Sequence, residues 1–227
     1  VIPSVMAVET EFLQGLPYFS DVNLPELDSI KRLFFEKTFD RGERILIEGE
    51  ASDILYFVSS GVVKLFKTSA DGKEQILKLV RPGEPVNDVS VFDGGPSPVN
   101  AEAMGPVVLY GVREPDVEAV LRDHPQVARS VNRVLAGQVR DLVALVEDLS
   151  FRRVTGRVAR ILLEHAGKGA GEGHRLTQQD IAAMVGSVRE VVGRALKALE
   201  EEGAIRLERH RVVINDRESL RRLVDAD

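Results

Sequence analysis

The 227-residue chain has room for two domains of ordinary size, and 44% hydrophobic with 29% charged residues is the composition of a globular protein. It contains no cysteine, which excludes disulfides, thiolate zinc sites, cysteine-ligated iron–sulfur clusters and a cysteine nucleophile. The net charge of −6 divides unevenly: residues 1–149 hold 15 Lys+Arg against 24 Asp+Glu, or −9, and residues 150–227 hold 15 against 12, or +3. An acidic front and a basic back point to two units with different partners. With no apolar run long enough to span a bilayer and no basic-then-apolar leader, the expected compartment is the cytoplasm.

Residues 9–38 read as helical pieces, with apolar spacings of three and four in "NLPELDSIKRLFF". From Phe39 the period changes. "ERILIEGE", "ILYFVSSGVVKLFKTS" and "EQILKLVRPGE" are short β-branched and aromatic runs parted by Gly42, Gly49, Gly61, Asp71-Gly72 and Gly83. Asp71-Gly72 between two such runs predicts a hairpin. "VNAEAMGPVVLYGV" supplies the last strands of an expected β-barrel or roll.

A long helix is expected from Pro125 to Leu149. Val131, Leu135, Gln138, Leu142, Leu145 and Leu149 are spaced 4-3-4-3-4, a heptad seam. That seam fits a parallel helix pair across a homodimer axis, with Gln138 as its one polar layer. Val139, Val143 and Val146 widen the apolar face, so the helix is also expected to pack on its own barrel.

"FRRVTGRVARILLEHAG" opens the second unit and "GKGAGEGH" reads as a loop. "LTQQDIAAMVGSVREVVGRALKALEEEG" then predicts two helices around a Gly186 turn, and "AIRLERHRVVI" two short strands around a basic tip. This is the order of a winged helix-turn-helix. Thr177 with Asp180, and Ser187 with Glu190, have the spacing of capping boxes. On a helical wheel Arg189, Glu190, Gly193, Arg194 and Lys197 share one face, opposite Val188, Val192, Ala195, Leu196 and Leu199. Gly193 costs about 1 kcal/mol there relative to alanine, and its bare backbone would admit another surface. Arginine offers a planar fork to guanine O6 and N7, and glutamate accepts from cytosine N4, so the trio Arg189, Glu190 and Arg194 suits base reading in a major groove. The bland alternative is a solvated face with Glu190 paired to Arg194 at i,i+4.

These pieces together resemble the cyclic-AMP receptor / fumarate–nitrate regulator (CRP/FNR) family of bacterial transcription factors. The resemblance is carried by "ILYFVSSGVVKLFKTSADGKEQILKLVRPGE", the 125–149 helix, "VTGRVARILL" and "LTQQDIAAMVGSVREVVGRALKALEEEGAI". It implies an α+β chain: a cyclic-nucleotide-binding-like β-roll at 1–124, a dimerisation helix and hinge at 125–150, and a winged-helix DNA-binding domain at 151–227. By position, Arg189, Glu190 and Arg194 take the base-reading places of the cyclic-AMP-receptor branch, which implies an inverted repeat with TGTGA-like half-sites. Thr177, Gln178, Gln179, Ser187 and Lys197, with Arg206, Arg209, His210 and Arg211 on the wing, are the expected phosphate contacts. RNA polymerase is a partner by resemblance alone.

The sensor region departs from the family's nucleotide-binding pattern. A Gly-Glu pair that holds the ribose is replaced by Asn87-Asp88, and an Arg-Ser pair that holds the phosphate by Pro98-Val99. The base-contacting hydroxyls on the long helix become Leu142 and Val143. No tight cyclic-AMP binding is expected. Haem is disfavoured because His124, His165, His174 and His210 all lie outside the barrel strands, and the same shortage argues against a metal-dependent enzyme on this roll. Asn87, Asp88, Val86, Val89, Val99, Leu142 and Val143 would suit an apolar or planar effector, or simply fill a core. A ligand-binding signalling module without DNA-directed activity is the alternative from another class. For an enzyme there is no Ser-His-Asp order, phosphate loop or metal motif.

Overall fold

A computed structural model describes residues 8–166, 177–208 and 211–225. Packing divides the described residues into two units. One runs up to Lys67 and includes Lys78–Arg140; the other joins Thr68–Leu77 to the residues from Asp141 on.

The first unit opens with α1 (Thr10–Gln14), a 3-10 turn and α2 (Leu24–Ile30), whose N-terminus is capped by Asn23 accepting from the Glu26 amide. Strand β1 (Phe35–Phe39) begins before Phe39, where the change of period had placed the first strand. Its alternation hides behind the preceding helical spacing. It continues through β2 (Arg44–Leu46), β3 (Ile54–Ser60), β4 (Val63–Thr68), β5 (Glu74–Val80), β6 (Pro85–Val86), α3 (Asp88–Asp93), β7 (Asn100–Ala103) and β8 (Val107–Arg113). Two four-stranded sheets form among the described residues, in the orders β1-β8-β3-β6 and β2-β7-β4-β5. Strand β8 sits between β1 and β3, with Gly111 opposite Phe35 and Tyr56. A Cβ on Gly111 would lie 2.7 Å from the Phe35 ring, so glycine is needed at that crossing.

The predicted hairpin is present: Ser69 and Lys73 close it, and Gly72 takes φ +81°. Leu55, Phe57, Val58, Val63, Phe66 and Leu109 are buried along the strands. Each such side chain contributes on the order of 1.5–3 kcal/mol by leaving water. Helix α4 (Glu114–Asp123) follows β8 and was not signalled by the strand-like run before it.

Helix α5 spans Pro125–Phe151, two residues beyond the predicted end. Its first turns belong to the first unit's core, where Val127 and Val131 are buried and Val134 and Leu135 pack against them. Further along, Val139, Leu142, Val143, Val146 and Leu149 are exposed.

In the second unit α5 gives way, after Arg152 and Arg153, to α6 (Val154–Ala166). Helices α7 (Gln178–Val185) and α8 (Arg189–Glu201) are followed by the strand pair β9 (Ile205–Glu208) and β10 (Arg211–Ile214), and by α9 (Arg217–Asp225). One core holds them together: Val158, Leu162, Ile181, Val185, Val192, Leu196, Leu199, Ile205 and Leu220. Helix α9 was not foreseen. Its signals are Asp216, which accepts from the Glu218 and Ser219 amides, and the apolar spacing Leu220, Leu223, Val224.

Candidate nucleic-acid interface

The turn between α7 and α8 is built by backbone chemistry. Gly186 ends α7 in the left-handed region at φ +65°, and the Ser187 amide bonds back to the Ala182 carbonyl across six residues, closing a Schellman motif. A Cβ on Gly186 would stand 2.7 Å from Leu149 Cδ2 and 2.8 Å from Gln75 Oε1, the ends of flexible side chains that can move aside, so it is φ that calls for glycine. At the other end of α7, the Thr177 hydroxyl accepts from the Asp180 amide and the Asp180 carboxylate accepts from the Thr177 amide. That is the predicted capping box.

The second predicted box does not form. Helix α8 starts at Arg189 with Val188 as its N-cap, and Val188 offers no side-chain acceptor. One residue of register therefore separates Ser187 from the capping position, and Glu190 is released from cap duty. Val188, placed on the buried face by the wheel, is 48% exposed for the same reason: it lies outside the helix. Val192, Ala195, Leu196 and Leu199 are buried as the wheel predicts.

Arg189, Glu190 and Arg194 are all exposed, and among the described residues none of them has an ion-pair partner. The i,i+4 pairing that would have made this a solvated face is not formed. Glu190 in the first turn is favoured by the helix dipole, which makes the acid cheap to hold there. Gly193 lies on this face, and a Cβ built on it meets nothing within 4 Å. No contact among the described residues requires glycine at that position.

Thr177, Gln178 and Gln179 are exposed at the start of α7, and Ser187 is half-buried in the turn. Lys197 is exposed, with Glu201 a distant 3.9 Å away. Arg206 on the wing is paired with Glu208 at 2.7 Å. Arg209 and His210 lie outside the described residues. So does His174. Arg211 opens β10, its side chain also outside them.

The predicted effector residues meet other fates. Asn87 adopts φ +73° and its amide donates to the carbonyls of Ser52 at 3.0 Å and Ile54 at 2.8 Å. Asp88 is the first residue of α3, buried, and its Oδ2 accepts from the Tyr18 hydroxyl at 3.2 Å and from the Gln138 amide at 2.6 Å. Burial, then the charge and hydrogen bond of Asp88, push the Tyr18 phenol far above its ordinary range. The Asp88 carboxylate is thus committed to partners within its own chain. Tyr18 is 70 residues from Asp88, and no sequence signal links them. Val86 is buried in the core, Val99 is half-buried and its carbonyl accepts from Ser97, and Val89 is exposed. Leu142 and Val143, in the second unit, are 49% and 63% exposed. Among the described residues there is no grouping of His, Asp and Glu able to hold a metal, and no helix long and apolar enough to cross a membrane.

Residues 36–124 match the cyclic nucleotide-binding domain, and residues 156–223 match the Crp-like helix-turn-helix domain. Over 219 residues the chain is 34% identical to a CRP-like cAMP-activated global transcriptional regulator of Mycobacterium tuberculosis, covering 93% of this chain and 98% of that one. It is 33% identical over 195 residues to the cyclic AMP receptor protein of Thermus thermophilus, covering 86% and 90%. Among solved structures it superposes on FixK2 of Bradyrhizobium japonicum with a TM-score of 0.75 at 27% identity, over 84% of this chain and 96% of the other. Likeness that runs through both domains and the helix joining them, rather than through either alone, makes the chain a member of the CRP/FNR family of DNA-binding transcription regulators.

Proposed function

We propose that the protein is a homodimeric regulator that reads an inverted repeat of TGTGA-like half-sites, and that its β-roll answers to an effector other than cyclic AMP. The observation that carries the DNA reading is the uncommitted trio at the start of α8. Arg189 and Arg194 have their guanidinium donors available for guanine, and Glu190 its oxygens for cytosine, since no side chain among the described residues engages them. Thr177, Gln178, Gln179, Ser187 and Lys197, with Arg209 and Arg211 on the wing, would hold phosphates, setting affinity and salt dependence more than sequence choice.

Two-fold pairing is supported by the exposed apolar stripe Val139, Leu142, Val143 and Val146, continued by Leu149. A solvated helix does not keep such a stripe uncovered without cost. Val131 and Leu135, the first layers of the predicted seam, already serve the chain's own core, and Gln138 donates to Asp88. The pair therefore meets chiefly through the C-terminal half of α5. Kinship with such regulators supports RNA polymerase as partner and the cytoplasm as compartment.

The two relatives named above carry cyclic AMP in their names. In this chain the anchors differ: Asp88 is occupied by Tyr18 and Gln138, and Pro98-Val99 offers no cation for a phosphate. The test is a mobility-shift titration of a TGTGA palindrome against its scrambled duplex at two salt concentrations, with and without cyclic AMP. Preference for the palindrome, unchanged by the nucleotide, is the expected result. Equal binding of both duplexes would end the base-reading assignment, and a response to cyclic AMP would end the effector assignment.

A further inference from the structure

The connector between α5 and α6 is braced by arginines around one acid. Asp148 lies in the last turn of α5. Arg160, in α6, brings Nη1 to 2.7 and 2.8 Å from its two carboxylate oxygens, and Arg152 brings Nε to 2.7 Å from Oδ1. Arg157 Nη1 lies 3.3, 3.4 and 3.1 Å from the carbonyl oxygens of Asp148, Leu149 and Arg152, toward which it donates. The Asp148 carbonyl also accepts from the Arg152 amide, and that of Leu149 is among the last carbonyls of α5, which a helix end leaves without intrahelical donors. Arg152 Nη1 also donates to the Val224 carbonyl, tying in α9. The Asp148 side chain is only 13% exposed, so these interactions are weakly screened.

We infer that Asp148 is a positioning residue for DNA recognition: given the reading of Arg189 and Arg194 proposed above, its carboxylate fixes the direction of each reading helix relative to α5 and thereby the half-site separation the dimer accepts. Two links support this. Helices α6 and α8 share one core through Val158, Leu162, Val192 and Leu196, so the direction of α6 is also that of α8. And Arg152, in the two-residue connector, is itself held by the Asp148 carboxylate and by the Val224 carbonyl. Without the carboxylate, Arg152 and Arg160 lose the acid they share, and the charge-assisted link between the end of α5 and α6 is lost. Glu164 cannot substitute, since it is already engaged by Arg160 Nε at 2.9 Å. A residue that mattered only for folding would weaken binding to every duplex alike. A residue that sets an angle changes which separation is preferred.

The experiment uses the full-length protein, with Asp148→Asn as the main variant, Asp148→Glu as the rescue and Arg160→Lys as a milder break that keeps charge but loses the planar fork. Anisotropy titrations compare the inverted repeat at its best separation with duplexes in which the half-sites are shifted by about 1 to 3 base pairs. The wild type is expected to prefer one separation. Asp148→Asn is expected to reduce that preference roughly tenfold while leaving binding to scrambled DNA unchanged, with Arg160→Lys intermediate and Asp148→Glu near wild type. An unaltered preference in Asp148→Asn and Arg160→Lys overturns the assignment. So does a parallel loss on all duplexes, scrambled included. A wild type that treats repeat and scrambled duplex alike overturns the reading of α8 itself, and this assignment with it, and is distinguishable because it needs no variant.

Discussion

Arg194 stands exposed on the second turn of α8 with no acid engaging it, so removing its side chain disturbs no pairing within the described residues. Arg194→Ala should therefore leave the melting temperature near that of the wild type. It should cost about 1–3 kcal/mol on the palindrome and little on random DNA, as titration of both duplexes would read out. Equal losses would make Arg194 a phosphate contact. A second residue-scale prediction comes from the tyrosines. Burial, followed by the charge of Asp53, pushes Tyr56 up to about 12, and Tyr18 is raised further. A raised folded-state value means that the native protein keeps a proton the unfolded chain releases. The stabilisation is thus complete below the ordinary phenol value near 10 and is lost as pH rises above it. Each buried phenol should steepen the alkaline decline by up to about 1.4 kcal/mol per pH unit. Denaturant unfolding at stepped alkaline pH measures this slope. In Tyr18→Phe the slope should fall by one tyrosine's share, beside a pH-independent loss from the missing hydrogen bond to Asp88.

Helix α8 owes its place to apolar spacing and its exposed charged face to what that spacing leaves over. Val192, Leu196 and Leu199 anchor it, and Gly193 faces outward with open space around it. Gly193→Ala should then stabilise the fold by up to about 1 kcal/mol, because helix entropy improves and no neighbour is touched. The same methyl should weaken DNA binding if the bare backbone is there to let a phosphate or base edge approach. Thermal unfolding and a binding titration on one preparation separate the two effects. A gain in both would mean that the glycine has no interface role. At this scale the sequence was an uneven guide. The Thr177 box was legible because both partners fall within one turn. The Ser187 box failed by one residue, since the turn spends Ser187 on the backbone bond to Ala182. Helices α3 and α9 went unseen. Each is short, and each depends on a local device, Asn87 in the left-handed region or the Asp216 cap, that apolar periodicity does not register.

For the whole molecule the consequential element is α5, which serves its own core in its first turns and exposes Val139, Leu142, Val143 and Val146 beyond them. Val143, 63% exposed, can be changed without opening a cavity in the chain's own core. Val143→Glu should leave the fold intact, place like charges at the stripe proposed to pair and shift the proposed dimer toward single chains, as sedimentation at graded concentration would show. Affinity for the palindrome should fall far more than affinity for a scrambled duplex, because only the dimer engages both half-sites. A variant that remains dimeric would move the interface elsewhere.

What the sequence by itself determined is whatever repeats at short range: the strand runs and their glycine turns, the long helix, the capped α7, the Gly186 turn, and the charged face of α8. Side chains a few residues apart settle those, since propensity, spacing and turn chemistry act within one or two turns of chain. The tertiary structure alone decided which polar groups are spent. Asp88 is taken by Tyr18 and Gln138 from distant positions, Asp148 is gripped by Arg160 from the next helix, and Arg189, Glu190 and Arg194 have no partner among the described residues. A carboxylate's partners are chosen by which helices converge on it, and that convergence follows from burying apolar faces. Whether a charge is consumed internally or offered to a ligand is therefore fixed only when the cores close.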